Sequence, residues 1–230
     1  MDAAYLKARC YLQALTARNL NPAACIVLPD EGKPLPGQNA KGNAIPSLQA
    51  SWGTFYPDLS VRSTCHEKNI PVIQAPENNI NSDASISLLA KHSASVYIYA
   101  GFGGVLLRKQ VLRCGKPFLH VHGGWLPDYK GSTTNHYSLL QENFCGASAF
   151  FLTEEIDSGD ILWRKKFPAP QNLKQIDHGL DPVFRSEVLC DVIQYYTTEK
   201  KWPQVQCENI KTPPYFIMHP VLRHILLLRK

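Results

Sequence analysis

The run Ser95-Val96-Tyr97-Ile98-Tyr99-Ala100, followed at once by Gly101-Phe102-Gly103-Gly104, constrains the fold more than any other stretch. An almost continuously apolar run of this length reads as a strand buried on both faces of a parallel sheet. The glycines end it in a backbone-permissive loop. Leu106 to Arg113 then reads as a helix and Phe118 to His122 as a second strand. Upstream, Leu59 to Asn69 fits a helix, Ile70 to Ile73 a strand, and Asp83 caps a helix through Ser93. Strand, helix, strand, Gly loop, helix, strand is an α/β pattern with a mostly parallel sheet and flanking helices. Such sheets bind ligands outside the carboxyl ends of their strands, where residues 101–104 and 123–131 both fall.

The flanks are less regular. Residues 3–18 carry partial helical spacing, Ala24 to Leu28 is a short β-type run, and the Pro-, Gly- and Asn-rich residues 29–50 read as one long loop. Beyond Phe167 prolines punctuate the chain, with one good helix over Pro182 to Glu199 and an apolar end over Tyr215 to Leu228. The expected division is a main domain over residues 1–168. A short C-terminal extension over 169–230 packs on it or on a partner subunit, as in a homodimer.

Composition excludes several classes. With 230 residues, 44% hydrophobic and 19% charged, the chain suits a soluble globular protein with a full core. The formal charge of +5 suits an anionic small molecule and demands no nucleic acid. The seven cysteines are odd in number, widely spaced and without a C-x-x-C pair. That argues against a disulfide framework and a Cys-based zinc site, and for a reducing compartment. No apolar run approaches the ~18 residues of a membrane span, and the start, with acidic Asp2, lacks the apolar core of a signal peptide. A cytoplasmic protein without membrane attachment is expected.

The chemistry-bearing stretch runs from Phe118 to Ile161. Alternation along a strand puts His120 and His122 on one face. Three readings of this pair stand open: two metal ligands completed by His136 or Asp157, acid–base or electrostatic catalysis, or hydrogen-bonded core histidines. Gly101-x-Gly103-Gly104 lacks the full dinucleotide-binding spacing and its acidic partner. Asp157 sits in the turn Ile156-Asp157-Ser158-Gly159-Asp160, where a carboxylate usually serves local hydrogen bonding.

The order of these pieces resembles the folate-dependent formyltransferases, a family that includes methionyl-tRNA formyltransferase, glycinamide ribonucleotide transformylase and the sugar N-formyltransferases. The family pattern Asn-x-His-Pro-Ser-Leu-Leu-Pro-x-Tyr-Arg-Gly, with an Asp-Thr-Gly turn later, is matched by His120-Val121-His122-Gly123-Gly124-Trp125-Leu126-Pro127-Asp128-Tyr129-Lys130-Gly131 and Asp157-Ser158-Gly159. The resemblance covers residues 70–168 well and 20–70 in outline. It implies a Rossmann-like formyltransferase fold and transfer of a formyl group from N10-formyltetrahydrofolate to a small amine. His122 and Asp157 match the family's catalytic His and Asp. The pterin would lie along Gly101, Phe102 and Gly103 and the segment holding Glu155 and Ile156; Trp125 and Lys130 would face the amine substrate, and no metal is implied.

Three departures stand out. His120 occupies the position of the family's Asn, whose amide stabilises the oxyanion of the tetrahedral intermediate. An amide always offers an N–H, whereas an imidazole donates according to its tautomer. Gly123-Gly124-Trp125 replaces Pro-Ser-Leu, which is expected to loosen the loop and add an aromatic surface. The chain also begins at what should be the first helix, so the family's first strand is expected to be missing. The long tRNA-binding domain does not fit after Phe167, while Asn79-Ile80-Asn81 and the Tyr215-x-x-Met218-His219-Pro220 tail favour an amino-sugar nucleotide as acceptor. The alternatives are a hydrolase on the same scaffold, releasing formate or using a metal held by His120, His122 and Asp157, and a catalytically impaired folate-binding relative.

Overall fold

The computed structural model describes residues 6–29, 45–101, 105–207 and 213–228. The chain divides into two compact units, Met1–His120 and Val121–Lys230.

The first unit opens with α1 (Leu6–Ala17), which ends at Asn19 in the left-handed region at φ 58°. The helix is buried nearly all round, Lys7, Arg9 and Gln13 included, so it is a core element. Its polar side chains satisfy loop backbone. Arg9 Nη1 donates to Pro57 O at 2.6 Å, and Gln13 exchanges bonds with Tyr56, donating to its carbonyl at 3.0 Å and accepting from its N–H at 2.9 Å. Strand β1 (Cys25–Val27) follows, then β2 (Leu48–Ala50) and β3 (Gly53–Phe55), an antiparallel hairpin with Gly53 at φ 130°. The hairpin takes the last residues of the stretch expected as loop; residues 30–44 of that stretch lie outside the described ones.

Helix α2 (Val61–Glu67) is capped by Ser60, whose hydroxyl accepts from Ser63 N, and β4 (Val72–Gln74) pairs parallel with β1. In α3 (Asp83–Lys91) the cap is Ser82, accepting from Ser85 N, and Asp83 is instead the first helical residue, where a carboxylate favours the helix dipole. The apolar run at 95–100 yields only the short β5 (Tyr97–Ile98), half-buried, followed by the single-turn α4 (Lys109–Leu112). The expectation of a strand buried on both faces fails there. Tyr97 Oη donates to Leu89 O at 2.6 Å, and among the described residues β5 pairs only with β6 (Phe118–His122), in parallel. Tyr97 also stacks on Phe118 at 5.2 Å.

The second unit begins within β6, at Val121 and His122, and continues with α5 (Thr134–Glu142), β7 (Phe144–Phe151) and β8 (Ile161–Pro168). Asn143 closes α5 in the left-handed region at φ 58° and turns the chain straight into β7. Seven of the eight β7 residues are buried, so the both-faces-buried strand is here. Its small residues explain why: Gly146 and Ser148 leave room for a loop on one face, and Ala147 and Ala149 for a helix on the other. That helix is α6 (Asp181–Glu199), entered through a 3₁₀ turn at Leu173–Gln175 and a π turn at Ile176–Leu180. It packs across β7 and β8 and is pinned by Lys165 Nζ to Glu187 Oε2 at 3.0 Å. Last, α7 (Pro220–Leu228) packs on α5 through buried Leu226.

The sheets are mixed. The parallel pairs β1–β4 and β5–β6 are short, and the longest pairing, β7 with β8, is antiparallel. The described sheets are mixed and fragmented rather than clearly mostly parallel, and the β7–β8 hairpin has eight residues in each arm. All seven cysteines are in the thiol form. No helix among the described residues is long and apolar enough to cross a membrane.

Candidate active site

The second unit builds its polar centre on His122, the last residue of β6, which is 6% exposed. Its Nε2 lies 2.8 Å from Tyr129 O and 3.3 Å from Thr134 Oγ1. A carbonyl only accepts, so Nε2 carries the proton and Nδ1 presents a lone pair. That lone pair faces Asp157 Oδ2 at 3.4 Å. Two acceptors meeting head-on form no hydrogen bond, and the gap exceeds the usual N–H···O range of ~2.7–3.2 Å. A proton placed between them would convert the contact into a charge-assisted bond.

Burial holds the His122 pKa below its ordinary value; Asp157 opposes this, and the guanidinium of Arg185 adds to it. The imidazole is therefore neutral near pH 7, with a carboxylate waiting at its open nitrogen. Asp157 is held from the other side by Gly131 N–H, which donates to Oδ2 at 2.9 Å. Asp157 itself sits at φ 49°, in the left-handed region that Asp tolerates better than most residues.

The loop after His122 is tight, not loosened. A Cβ on Gly124 would lie 2.7 Å from both His122 Nε2 and Tyr129 O, and one on Gly123 would overlap Asp181 Oδ1. Both glycines are thus sites of close approach: Gly124 admits the bond that fixes the imidazole, and Gly123 admits the Asp181–Arg185 pair. Ser148 Oγ clamps the loop from β7, donating to Gly124 O at 2.8 Å and accepting from Leu126 N at 3.0 Å. The Leu126–Pro127 peptide is cis.

Trp125 is covered on the loop by cations. Arg164 lies 4.1 Å from the ring centre and donates to Leu126 O at 2.6 Å, and Lys166 Nζ lies 4.9 Å from the same ring. Lys130 is half-buried, and its carbonyl accepts from Tyr215 N at 2.8 Å. Glu155 and Ile156 form an exposed turn whose carbonyls accept from Thr153 Oγ1 at 3.2 Å and Ser158 Oγ at 2.9 Å. In the first unit, His120 is half-buried, its Nδ1 3.4 Å from Tyr99 O and its ring 6.0 Å from the Tyr99 ring. A Cβ on Gly101 would meet that Tyr99 ring at 2.6–2.8 Å. Phe102 and Gly103 lie outside the described residues.

Several members of the centre were not singled out from sequence. Asn135 on α5 accepts from Gly146 N at 2.7 Å and donates to Asp181 Oδ1 at 3.1 Å. Asp181 in turn pairs with Arg185 at 2.7 Å, and Arg185 Nη1 donates to Val121 O at 3.3 Å. The (i, i+4) spacing of Asp181 and Arg185 was a legible signal of a pair on one helix face; Thr134, Asn135 and Ser148 gave none. Among the described residues no three His, Cys, Asp or Glu side chains gather into a group that could hold a metal ion.

Residues 6–177 match the family described as "Formyl transferase". The chain belongs to that family. A methionyl-tRNA formyltransferase from Syntrophus aciditrophicus (strain SB) is 29% identical over 115 residues, 50% of this chain and 36% of that protein, so this formyl transferase family member spans about a third of that relative's length. Two solved structures share its α/β fold. Glycinamide ribonucleotide transformylase 1 from Symbiobacterium toebii superposes with a TM-score of 0.57 at 13% identity, over 86% of this chain and 85% of that one. A sugar N-formyltransferase from Shewanella sp FDAARGOS_354 gives 0.57 at 13% identity, over 95% and 81%.

Proposed function

We propose that this formyl transferase family member moves a formyl group from N10-formyltetrahydrofolate to the amine of a small substrate, an amino-sugar nucleotide, and that His122 and Asp157 manage the proton. The observation that carries the reading is the neutral, buried imidazole whose Nδ1 lone pair faces a carboxylate at 3.4 Å. When bound, the folate supplies an acylated nitrogen whose formyl carbon an amine can attack. An attacking amine must lose a proton, and the His122–Asp157 gap is built to receive one: Nδ1 accepts it, and Asp157 stabilises the imidazolium. Burial restrains the imidazole from holding that proton once the leaving nitrogen needs it.

The chemistry of this donor set fits acyl transfer to an amine, where one group must take up and return a proton within a single turnover. His120, two residues earlier on the same strand, is the proposed donor to the developing oxyanion. By the family resemblance, Gly101, Phe102, Gly103, Glu155 and Ile156 are the proposed pterin-binding residues, and Trp125 and Lys130 are the proposed residues for the amine. The amino-sugar assignment rests on the Asn79-Ile80-Asn81 segment and the Tyr215-x-x-Met218-His219-Pro220 tail. Exposed Val221, Ile225 and Leu228 on α7 support a homodimer through the C-terminal segment, to be tested by sedimentation.

One observation favours the runner-up, an impaired folate-binding relative. With Nδ1–H directed at Tyr99 O, a neutral His120 offers a lone pair, not an N–H, at Nε2. The deciding experiment incubates the purified chain with 10-formyltetrahydrofolate and a panel of amines, following the folate product by absorbance. Turnover with an amino-sugar nucleotide is expected. Tight folate binding with no turnover on any amine would put the runner-up first, and formate release without amine would identify a hydrolase.

A further inference from the structure

The C-terminal segment reaches back to the loop that holds Asp157. Among the described residues, the hydrogen-bond donor to the Asp157 carboxylate is Gly131 N–H. The turn around Asp157 is itself exposed at Glu155, Ile156 and Ser158, so the carboxylate depends on Gly131 for its aim. Gly131 is bracketed by Tyr215. Tyr215 N donates to Lys130 O at 2.8 Å, and Ser132 N donates to Tyr215 O at 2.9 Å, a parallel bridge centred on Gly131.

Side chains lock that bridge. The Tyr215 ring stacks on Tyr129 at 5.7 Å and 14°, lies 4.4 Å from the Tyr137 ring, and its hydroxyl is 3.4 Å from Gln141 Oε1. Downstream, Met218 N donates to Thr133 Oγ1 at 2.8 Å, and Met218 is buried. Gly131 has φ 97°, and a Cβ there would overlap Tyr215 O. The peptide that grips Asp157 is thus pressed from behind by the backbone of Tyr215. The family match ends at residue 177, so this clamp comes from a part of the chain beyond the match.

We propose that Tyr215 is a positioning residue for the transfer reaction: its pairing with residues 130–132 aims the Gly131 N–H and so sets the distance between Asp157 and His122. The proposal rests on the reading of His122 and Asp157 as the proton-handling pair. Tyr215 acts through Gly131 and touches no reacting group.

The test uses the full chain with Tyr215→Ala, Tyr215→Phe and Asp157→Asn. Tyr215→Ala is expected to lower kcat on the order of tenfold to a hundredfold, with KM for the amine little changed, because a small misplacement of a catalytic group has effects of that size. Tyr215→Phe, which keeps the stack and the backbone bonds, is expected to restore kcat. Amide hydrogen exchange gives a readout free of activity: the Gly131 and Ser132 amides are expected to be protected in the wild type and released in Tyr215→Ala while β7 stays protected. Unchanged kcat in Tyr215→Ala beside an inactive Asp157→Asn overturns the positioning role alone. Full activity in Asp157→Asn overturns the reading beneath it. Free exchange at Gly131 and Ser132 in the wild type overturns the clamp even if Tyr215→Ala does not fold.

Discussion

The Nδ1 atom of His122 lies 3.4 Å from Asp157 Oδ2 while its Nε2 is committed to Tyr129 O at 2.8 Å. One nitrogen is therefore anchored by backbone and the other left open toward a carboxylate. That asymmetry lets Nε2 orient the ring and leaves Nδ1 as the atom proposed to take the proton.

Removing either partner of the pair should stop transfer without unfolding the chain. His122→Ala or Asp157→Ala is expected to lower kcat by about 10²–10⁴-fold, the range for a positioned acid–base group. Single-turnover rates with pre-bound formyl donor check this, and near wild-type rates in either variant would sink the assignment.

Stability should fall on acidification. The folded-state pKa of His122 lies below its unfolded value near ~6.5, so below that pH the unfolded chain binds a proton the folded chain refuses. Its contribution is intact above pH ~6.5 and is lost as pH falls through the lowered folded pKa. The midpoint of thermal unfolding is expected to drop over that window and to drop less in His122→Asn. Parallel curves for the two proteins would show that the burial of His122 carries no such cost.

Gly124→Ala is expected to disable the site. Its Cβ would stand 2.7 Å from His122 Nε2, so the Tyr129 O bond must break or the loop must move. A loss of kcat by at least about tenfold is expected, since displacing a catalytic group by about 1 Å costs on the order of a hundredfold. A kinetically normal Gly124→Ala would mean that the imidazole has room the structure denies it.

Ser148→Ala tests the loop clamp separately. The change strands the buried Leu126 N–H and removes the donor to Gly124 O. A loss of about 1–3 kcal/mol of unfolding free energy is expected from denaturant titration. A change below about 0.5 kcal/mol would show that the clamp is dispensable.

His120→Asn should retain or raise transfer. An amide offers an N–H whatever its neighbours, whereas an imidazole donates according to its tautomer, and His120 Nδ1 lies 3.4 Å from Tyr99 O. A dead His120→Asn beside an active wild type would remove His120 from the oxyanion role.

Much of the centre was readable from residue order. His122, Asp157 and the Tyr129–Gly131 loop stand in a pattern whose spacing is specific, and α6 matches the helix expected over Pro182 to Glu199, whereas α7 was legible only as an apolar end. The strand at 95–100 misled because an apolar run does not report what will cover it. Tyr97 and Tyr99 are amphipathic, and among the described residues β5 finds one strand partner, whereas the small residues of β7 admit layers on both faces. Gly123-Gly124 misled for a related reason: glycine in a sequence looks like freedom, and here it marks crowding.

Local chemistry therefore settled which groups are available: an imidazole at the end of a strand, a carboxylate in a φ-permissive turn, and a histidine where an amide is expected. Tertiary structure alone decided how they are used. The tautomer of His122 depends on Tyr129 O, its suppressed protonation on burial, and the aim of Asp157 on Gly131 with Tyr215 behind it. Each of these depends on groups brought together across the fold, which short-range residue patterns do not encode.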